Sequence, residues 1–249
     1  MTDDRAFGPD VSVWDDNQST PQKVEMKKAK DKGASFVIIK AAQACYADLD
    51  FVWNYADART DGLLRATFDF LVWDVDPIKQ ADFYCKMHEK DEPELGYYAD
   101  YEWWKTIPSN ALAILDAFCS RVEDNVNKPC GVYTAPGFWQ PYGSKDPKWA
   151  KRPLWVANWG PSSPSVLLPW GEGNWSFWQY TATEDGIAYG CESKAVDMNK
   201  FNGNVAQLYT RAGLAPIVAS VANPVSHADE LFAIATNIND IANKIVLGV

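Results

Sequence analysis

Asp100-Tyr101-Glu102 holds the pair of side chains in this chain best suited to chemistry. The tripeptide ends a short apolar, aromatic run, Leu95-Gly96-Tyr97-Tyr98-Ala99. That run reads as a buried strand, and side chains two apart in a strand point to the same side. The two carboxylates then stand side by side, roughly 6–7 Å apart at Cα from the strand rise. Two carboxyl groups on one face suit hydrolysis of a glycosidic bond, which takes a protonated acid for the leaving oxygen and a charged partner. Asp-x-Glu is also a frequent string at solvated strand ends, so the pair gains meaning only from what positions it.

Other polar residues sit at comparable places. Asp10 follows Phe7-Gly8-Pro9, Lys40 ends Phe36-Val37-Ile38-Ile39, Asp69 lies near the end of Leu64–Phe70, and Asp197 lies in Ala195-Val196-Asp197-Met198-Asn199. In a barrel of parallel strands, active-site residues come from the C-terminal ends of several strands. Carboxylates at such ends, interleaved with Trp and Tyr, suggest a cleft for a neutral polar ligand with apolar faces, as a sugar chain has. Each Asp alone also fits a turn or cap.

The elements expected to carry these ends alternate. Gln22 to Lys32 reads as a surface helix stopped by Gly33. Ile78 to Lys90 is helical in pattern. Leu112, Leu115, Phe118, Cys119 and Val122 recur at helical steps in a helix opened by Ser109-Asn110. Gly131–Thr134, Leu154–Ala157 and Ser176–Tyr180 read as further strands with short or Pro/Gly-rich connectors. Strand and helix in repetition give an α/β fold with a parallel sheet, and the helical alternation weakens in the later part. No Gly-rich phosphate loop supports a nucleotide fold.

Composition narrows the partners. The 249 residues carry a formal net charge of -10 with 47% hydrophobic and 22% charged residues, enough for a sizeable core. The acidic balance argues against nucleic acid, because no basic patch is there to release phosphate counterions. Five scattered cysteines and only His88 and His227 give no metal-ligand spacing, so no metal and no other cofactor is expected, and the cysteines read as free thiols. The polar, acidic start, Met1-Thr2-Asp3-Asp4-Arg5, lacks a signal-peptide pattern. No apolar run reaches the length of about 18 residues that spans a bilayer. The expectation is a protein made in the cytoplasm, without stable membrane insertion.

Aromatic residues are unevenly placed: of 12 Trp, 11 Tyr and 11 Phe, only Phe232 lies beyond residue 210. This places a boundary near Gly213, with an aromatic-rich domain over 1–212 and a small, apolar tail over 213–249. In the tail Leu231, Ile234, Ile238, Ile241 and Ile245 form a short a/d seam. It fits a helix that packs on the barrel or on a second copy as a homo-oligomer, or else a targeting module.

The ordered motifs carry a resemblance. Asp10-Val11-Ser12-Val13-Trp14, Phe36-Val37-Ile38-Ile39-Lys40-Ala41, Ala99-Asp100-Tyr101-Glu102, Gly131-Val132-Tyr133-Thr134, Leu154-Trp155-Val156-Ala157, Trp175–Tyr180 and Val196–Gly203 resemble, in order, segments of the glycoside hydrolase family 25 muramidases, a family that includes phage endolysins. The resemblance covers roughly residues 6–205. It implies an irregular, TIM-like (β/α) barrel with incomplete helical crossovers in the later part. It also implies hydrolysis of the β-1,4 bond between N-acetylmuramic acid and N-acetylglucosamine in peptidoglycan glycan strands, with no cofactor. Carried over by position, Glu102 is the general acid and Asp100 the ionised helper, and Asp10 and Asp197 flank them. Lys40, Phe68, Asp69, Tyr133, Trp155, Trp178 and Tyr180 line the groove. A protein of this kind without a signal peptide would reach the bacterial wall by phage-mediated release. A non-catalytic wall-binding or virion structural protein is the alternative, and the presence of both Asp100 and Glu102 argues for catalysis.

One departure stands out. Where the family commonly has Tyr-His-Phe, this chain has Phe68-Asp69-Phe70. A carboxylate there is expected to raise its acidic neighbours and move the pH optimum upward relative to relatives with His. Trp103-Trp104, just past the pair, is bulky enough to cover the groove or to pack beneath a loop.

Overall fold

The structure, a computed structural model, describes residues 3–165 and 167–215. The tail seam lies outside the described residues. So does nearly all of the segment beyond the Gly213 boundary.

Nine strands form one sheet: β1 (Arg5–Val11), β2 (Phe36–Gln43), β3 (Tyr46–Ala47), β4 (Leu64–Phe70), β5 (Tyr97–Asp100), β6 (Cys130–Thr134), β7 (Leu154–Ala157), β8 (Phe177–Asp185) and β9 (Ala195–Asn204). Their order is β1-β9-β8-β7-β6-β5-β4-β2-β3, and β1 also pairs with β2. That extra pairing closes eight strands into a barrel and leaves β3 as a hairpin strand at its rim. Neighbours from β1 through β2 and β4 to β8 are parallel. β9 runs antiparallel to both β8 and β1. The barrel is therefore mixed, where strand-helix alternation had suggested parallel strands alone.

Helices α1 (Met26–Asp31), α2 (Phe51–Thr60), α3 (Pro77–Lys86), α4 (Ala111–Val126) and α5 (Pro136–Tyr142) follow the strands up to β6, and α6 (Val205–Arg211) follows β9. Between β7 and β8 no α-helix occurs among the described residues, which matches the weak alternation there. Helix α4 shows why the period read well: Ile114, Leu115, Phe118, Cys119 and Val122 are all buried. Burying each large apolar side chain contributes about 1.5–3 kcal/mol. Its N-cap is Asn110, one residue past the expected Ser109.

Strand alternation sorts the core into two layers. Phe36, Ile38, Ala66, Phe68, Tyr98, Trp155 and Phe177 fill the barrel. Val37, Ile39, Tyr97, Ala99, Val132, Val156 and Trp178 face the outer layer with the helices. The barrel is thus plugged by aromatic rings below its mouth, and polar inward positions remain only near the strand ends.

Candidate active site

The inward positions at that mouth are Asp10, Lys40, Asp100, Tyr133, Gln179, Asp197 and Asn199. Register brings them together: Asp10 is opposite Asp197, and Asp100 is flanked by Phe70 and Tyr133. Beyond Asp100 the ladder persists for one more residue, since the Tyr101 N–H donates to the Tyr133 carbonyl at 2.9 Å. Tyr101 turns outward. Its ring is fully buried against Trp73 and Phe138, and its hydroxyl donates to the Tyr142 carbonyl at 2.7 Å. That anchor returns Glu102 to the inner side, two positions from Asp100 as the strand period requires.

Gln179 joins the far wall. Its amide nitrogen donates to Asp10 Oδ2 and to Asp197 Oδ2, each at 3.0 Å. Its amide oxygen accepts from the Tyr133 hydroxyl at 3.1 Å and from the Trp159 indole at 3.0 Å. An indole can only donate, so the amide must turn its oxygen to Trp159 and its nitrogen to the carboxylates. Asn199 adds a second donor to Asp10 Oδ2 at 2.8 Å and accepts from the Trp155 indole at 2.8 Å.

The charges in this space are unbalanced. Burial, then the Glu102 charge, pushes the Asp100 carboxyl well above the usual range, with Lys40 pulling it back. Asp100 is 4% exposed and its Oδ1 has no hydrogen-bond partner. Glu102 is half-buried, and burial and Asp197 raise it while Lys40 opposes. Burial pushes Asp197 to about 6. Burial and then Asp197 raise Asp10 well above normal, against the bonds from Gln179 and Asn199. The surroundings of Asp100 thus favour its protonated form, with Lys40 favouring the ionised one. Among the described residues Lys40 is the cation that opposes both Asp100 and Glu102, so losing the first proton holds back the second.

A closed barrel with a carboxylate pair at its mouth is a site for glycoside chemistry, and the family comparison agrees. The model of glycosyl hydrolases family 25 matches residues 9–187. The chain belongs to this family. It is a family 25 glycoside hydrolase that is 31% identical over 235 residues to Lysozyme M1 of Streptomyces globisporus, covering 84% of this chain and 75% of that protein. Among solved structures it resembles the lysozyme of Streptomyces coelicolor, with a TM-score of 0.71 at 27% identity over 85% of this chain and 98% of that one. The muramidase from Trichobolus zukalii gives a TM-score of 0.67 at 26% identity, over 83% and 98% of the two chains.

Not every residue expected in the groove of this family 25 barrel lies there. Asp69 alternates with Arg65 and Thr67 on the outer face of β4, where Thr67 Oγ1 meets the Tyr84 hydroxyl of α3 at 2.9 Å. It is fully buried, both its oxygens lack partners, and burial holds its carboxyl well above normal, opposed by Lys40. Its charge comes last among the causes that raise Asp100, behind burial, Glu102 and Asp10. Phe70, the next inward residue, takes the place expected of Asp69: Lys40 Nζ lies 5.1 Å from its ring centre. Trp178 and Tyr180 also point outward, under Lys200, whose Nζ is 5.4 Å and 4.5 Å from their ring centres. Phe68 and Trp155 are barrel filling, packed edge to face at 5.6 Å, although the Trp155 indole supports Asn199. Lys40 and Tyr133 are at the mouth as expected. Gln179, Asn199 and Trp159 were not foreseen. The signal was present in Trp178-Gln179-Tyr180, because an amide between two aromatics on a buried strand must find polar partners on the opposite face.

Trp104 and Trp103 take separate places, and Trp103 is largely exposed rather than packed beneath a loop. Trp104 stands half-buried beside Phe70 at 5.7 Å. Trp103 packs on Phe138 and Tyr142 of α5. No cluster of three or more His, Cys, Asp or Glu with metal-binding geometry occurs among the described residues.

Proposed function

We propose that this protein is an N-acetylmuramidase that cleaves the β-1,4 bond between N-acetylmuramic acid and N-acetylglucosamine in bacterial peptidoglycan. The observation that carries this reading is the placement of Glu102 above Asp100 at the mouth of a closed barrel, facing Asp10 and Asp197. Glu102 is the general acid. Burial and the facing Asp197 raise its carboxyl and so favour the protonated form, and it is the more accessible of the pair, so its proton passes to the leaving glycosidic oxygen. As that proton leaves, Glu102 takes on the negative charge, and Asp100 in its ionised form faces the sugar ring as the ring becomes cationic. It stabilises that centre or orients the substrate's acetamide. Asp10 and Asp197, fixed by Gln179, bind hydroxyl or acetamide groups, and water completes hydrolysis at the freed carbon.

The test is chemical. Purified walls are digested, the products are reduced with borohydride, and fragments are analysed by mass. Reduced muramic acid at the new ends is expected. Reduced glucosamine ends, or no new ends, would refute the assignment of the bond.

A further inference from the structure

The ladder between β1 and β9 stops where the far wall of the site begins. Its last paired residues at the mouth are Asp10 and Asp197 themselves. Gln179 holds both carboxyl groups from the barrel side, and Asn199 adds a bond to Asp10. On the rim side, where the ladder has run out, that task falls to Asp15.

Asp15 closes a short 3₁₀ turn, Val13–Asp15, and reaches back to the chain just past Asp10. The Ser12 N–H donates to Asp15 Oδ2 at 2.9 Å, and the Asp15 N–H returns to the Ser12 carbonyl at 3.0 Å. The same residue reaches across to the segment that leads into Asp197. Its carbonyl accepts from the Glu192 N–H at 2.9 Å and from the Ser193 N–H at 3.3 Å. The Ser193 hydroxyl donates to the Ala195 carbonyl at 2.8 Å and lies 3.3 Å from Asp15 Oδ1. Glu192 Oε2 completes the clamp by accepting from the Asn17 N–H at 2.8 Å and the Thr20 hydroxyl at 2.7 Å. The rim ends of the two strands therefore cannot part without breaking bonds at Asp15.

The clamp also carries a charge that its hydrogen bonds do not require, since a neutral amide oxygen accepts from Ser12 equally well. Asp15 is half-buried. Burial, with Asp197 and Asp48 adding to it, pushes its carboxyl up to about 6 against the bonds from Ser12 and Ser193. The titratable groups that face it are Asp10 of β1, Asp48 just after β3, Cys191 ahead of β9 and Asp197 on β9, while Lys40 acts on Asp48. A further negative charge on this wall disfavours the ionised forms of its acidic neighbours.

We propose that Asp15 is a positioning residue for the hydrolysis: it locks the rim ends of β1 and β9 so that Asp10 and Asp197 face the substrate at a fixed spacing, and its carboxylate charges the wall behind them. Its part in hydrolysis rests on the muramidase reading, but its effect on the two carboxyl groups can be measured without turnover. The full chain is compared with Asp15→Asn, which keeps an acceptor for Ser12 and drops the charge, and with Asp15→Ala, which drops both. Wall clearing is followed as a function of pH, and the midpoints of Asp10 and Asp197 are read by NMR titration of their carboxyl carbons. Asp15→Ala is expected to lose about tenfold in kcat/KM, the size of one lost charged hydrogen bond, and Asp15→Asn to recover most of it. In both variants the midpoints and the acid limb of the pH–rate profile should move down, because a neighbouring negative charge is gone. A residue that only supports the fold would lower the melting temperature yet leave the profile and the midpoints in place, and that result would overturn the proposal. So would Asp15→Ala with the wild-type kcat/KM. If the midpoints fall in Asp15→Asn while the wild type releases no muramic acid ends from walls, the role of Asp15 toward Asp10 and Asp197 stands and the muramidase reading fails.

Discussion

Gln179 gives its amide nitrogen to carboxylates on two different strands, Asp10 on β1 and Asp197 on β9. A hydrogen bond to a charged group contributes about 1.5–3 kcal/mol. Gln179→Leu should therefore lower kcat/KM by roughly ten- to a hundredfold. It should also shift the acid limb of the pH–rate profile upward, because Asp10 and Asp197 lose the donor that favours their charged forms. An unchanged profile would mean that the amide only fills space. Residues of this kind were only partly legible in the sequence. The pair Asp100 and Glu102 was readable because a two-residue step in a strand leaves no choice of face. Asp69, Trp178 and Tyr180 were misplaced because nearness to a strand end says nothing about side. Arg65 could have settled the side for Asp69. It lies four positions earlier and reaches Asp91 at 2.8 Å outside the barrel.

At the scale of elements, the barrel floor depends on close approach between strands. A Cβ at Gly131 would come within 2.2 Å of the Tyr98 ring, whereas one at Gly137 of α5 meets nothing within 4 Å. Gly131→Ala should cost about 1–3 kcal/mol by overpacking. At roughly 2–4 °C per kcal/mol for a chain of this size, the drop is readable in a thermal melt. Gly137→Ala should leave the melting temperature unchanged or slightly higher. Equal melts for the two variants would contradict the packing account. The strands and α4 could be read from sequence because their burial follows their period. Helix α2 was hidden because its buried face includes Asn54 while Val52 and Trp53 are exposed. Helix α5 was hidden by Pro136, Gly137 and Pro141. The antiparallel course of β9 had no sequence signal beyond its short connector from β8.

At the scale of the whole molecule, the clustered acids make stability depend on pH. Burial raises Asp15 and Asp197 to about 6 and raises Asp10, Asp69, Asp100 and Glu102 as well. The folded chain then binds more protons than the unfolded chain, whose carboxyls titrate near 4, so stability falls as pH rises through the interval between the two values. His88 acts in the opposite sense. Burial among Phe51, Tyr84 and Tyr97 holds it down to about 4, which favours the fold as pH rises from about 4 to 6.5. Asp16 and Asp48 are raised as well, so among the described residues eight raised carboxyl groups stand against one lowered imidazole, while the carboxyls that ion pairs hold low titrate below this window: the melting temperature should be higher at pH 5 than at pH 8. Asp69→Asn removes an unpartnered buried acid, and should raise stability at pH 8 by about 1–3 kcal/mol while leaving wall lysis near wild type. A large loss of lysis would return Asp69 to the site. The most direct measurement on the intact protein compares clearing of purified walls by the wild type and by Glu102→Gln, with melting curves confirming that both fold. Loss of the general acid is predicted to slow clearing by about 10²–10⁴-fold while wall binding persists. Clearing by Glu102→Gln at the wild-type rate would contradict the account.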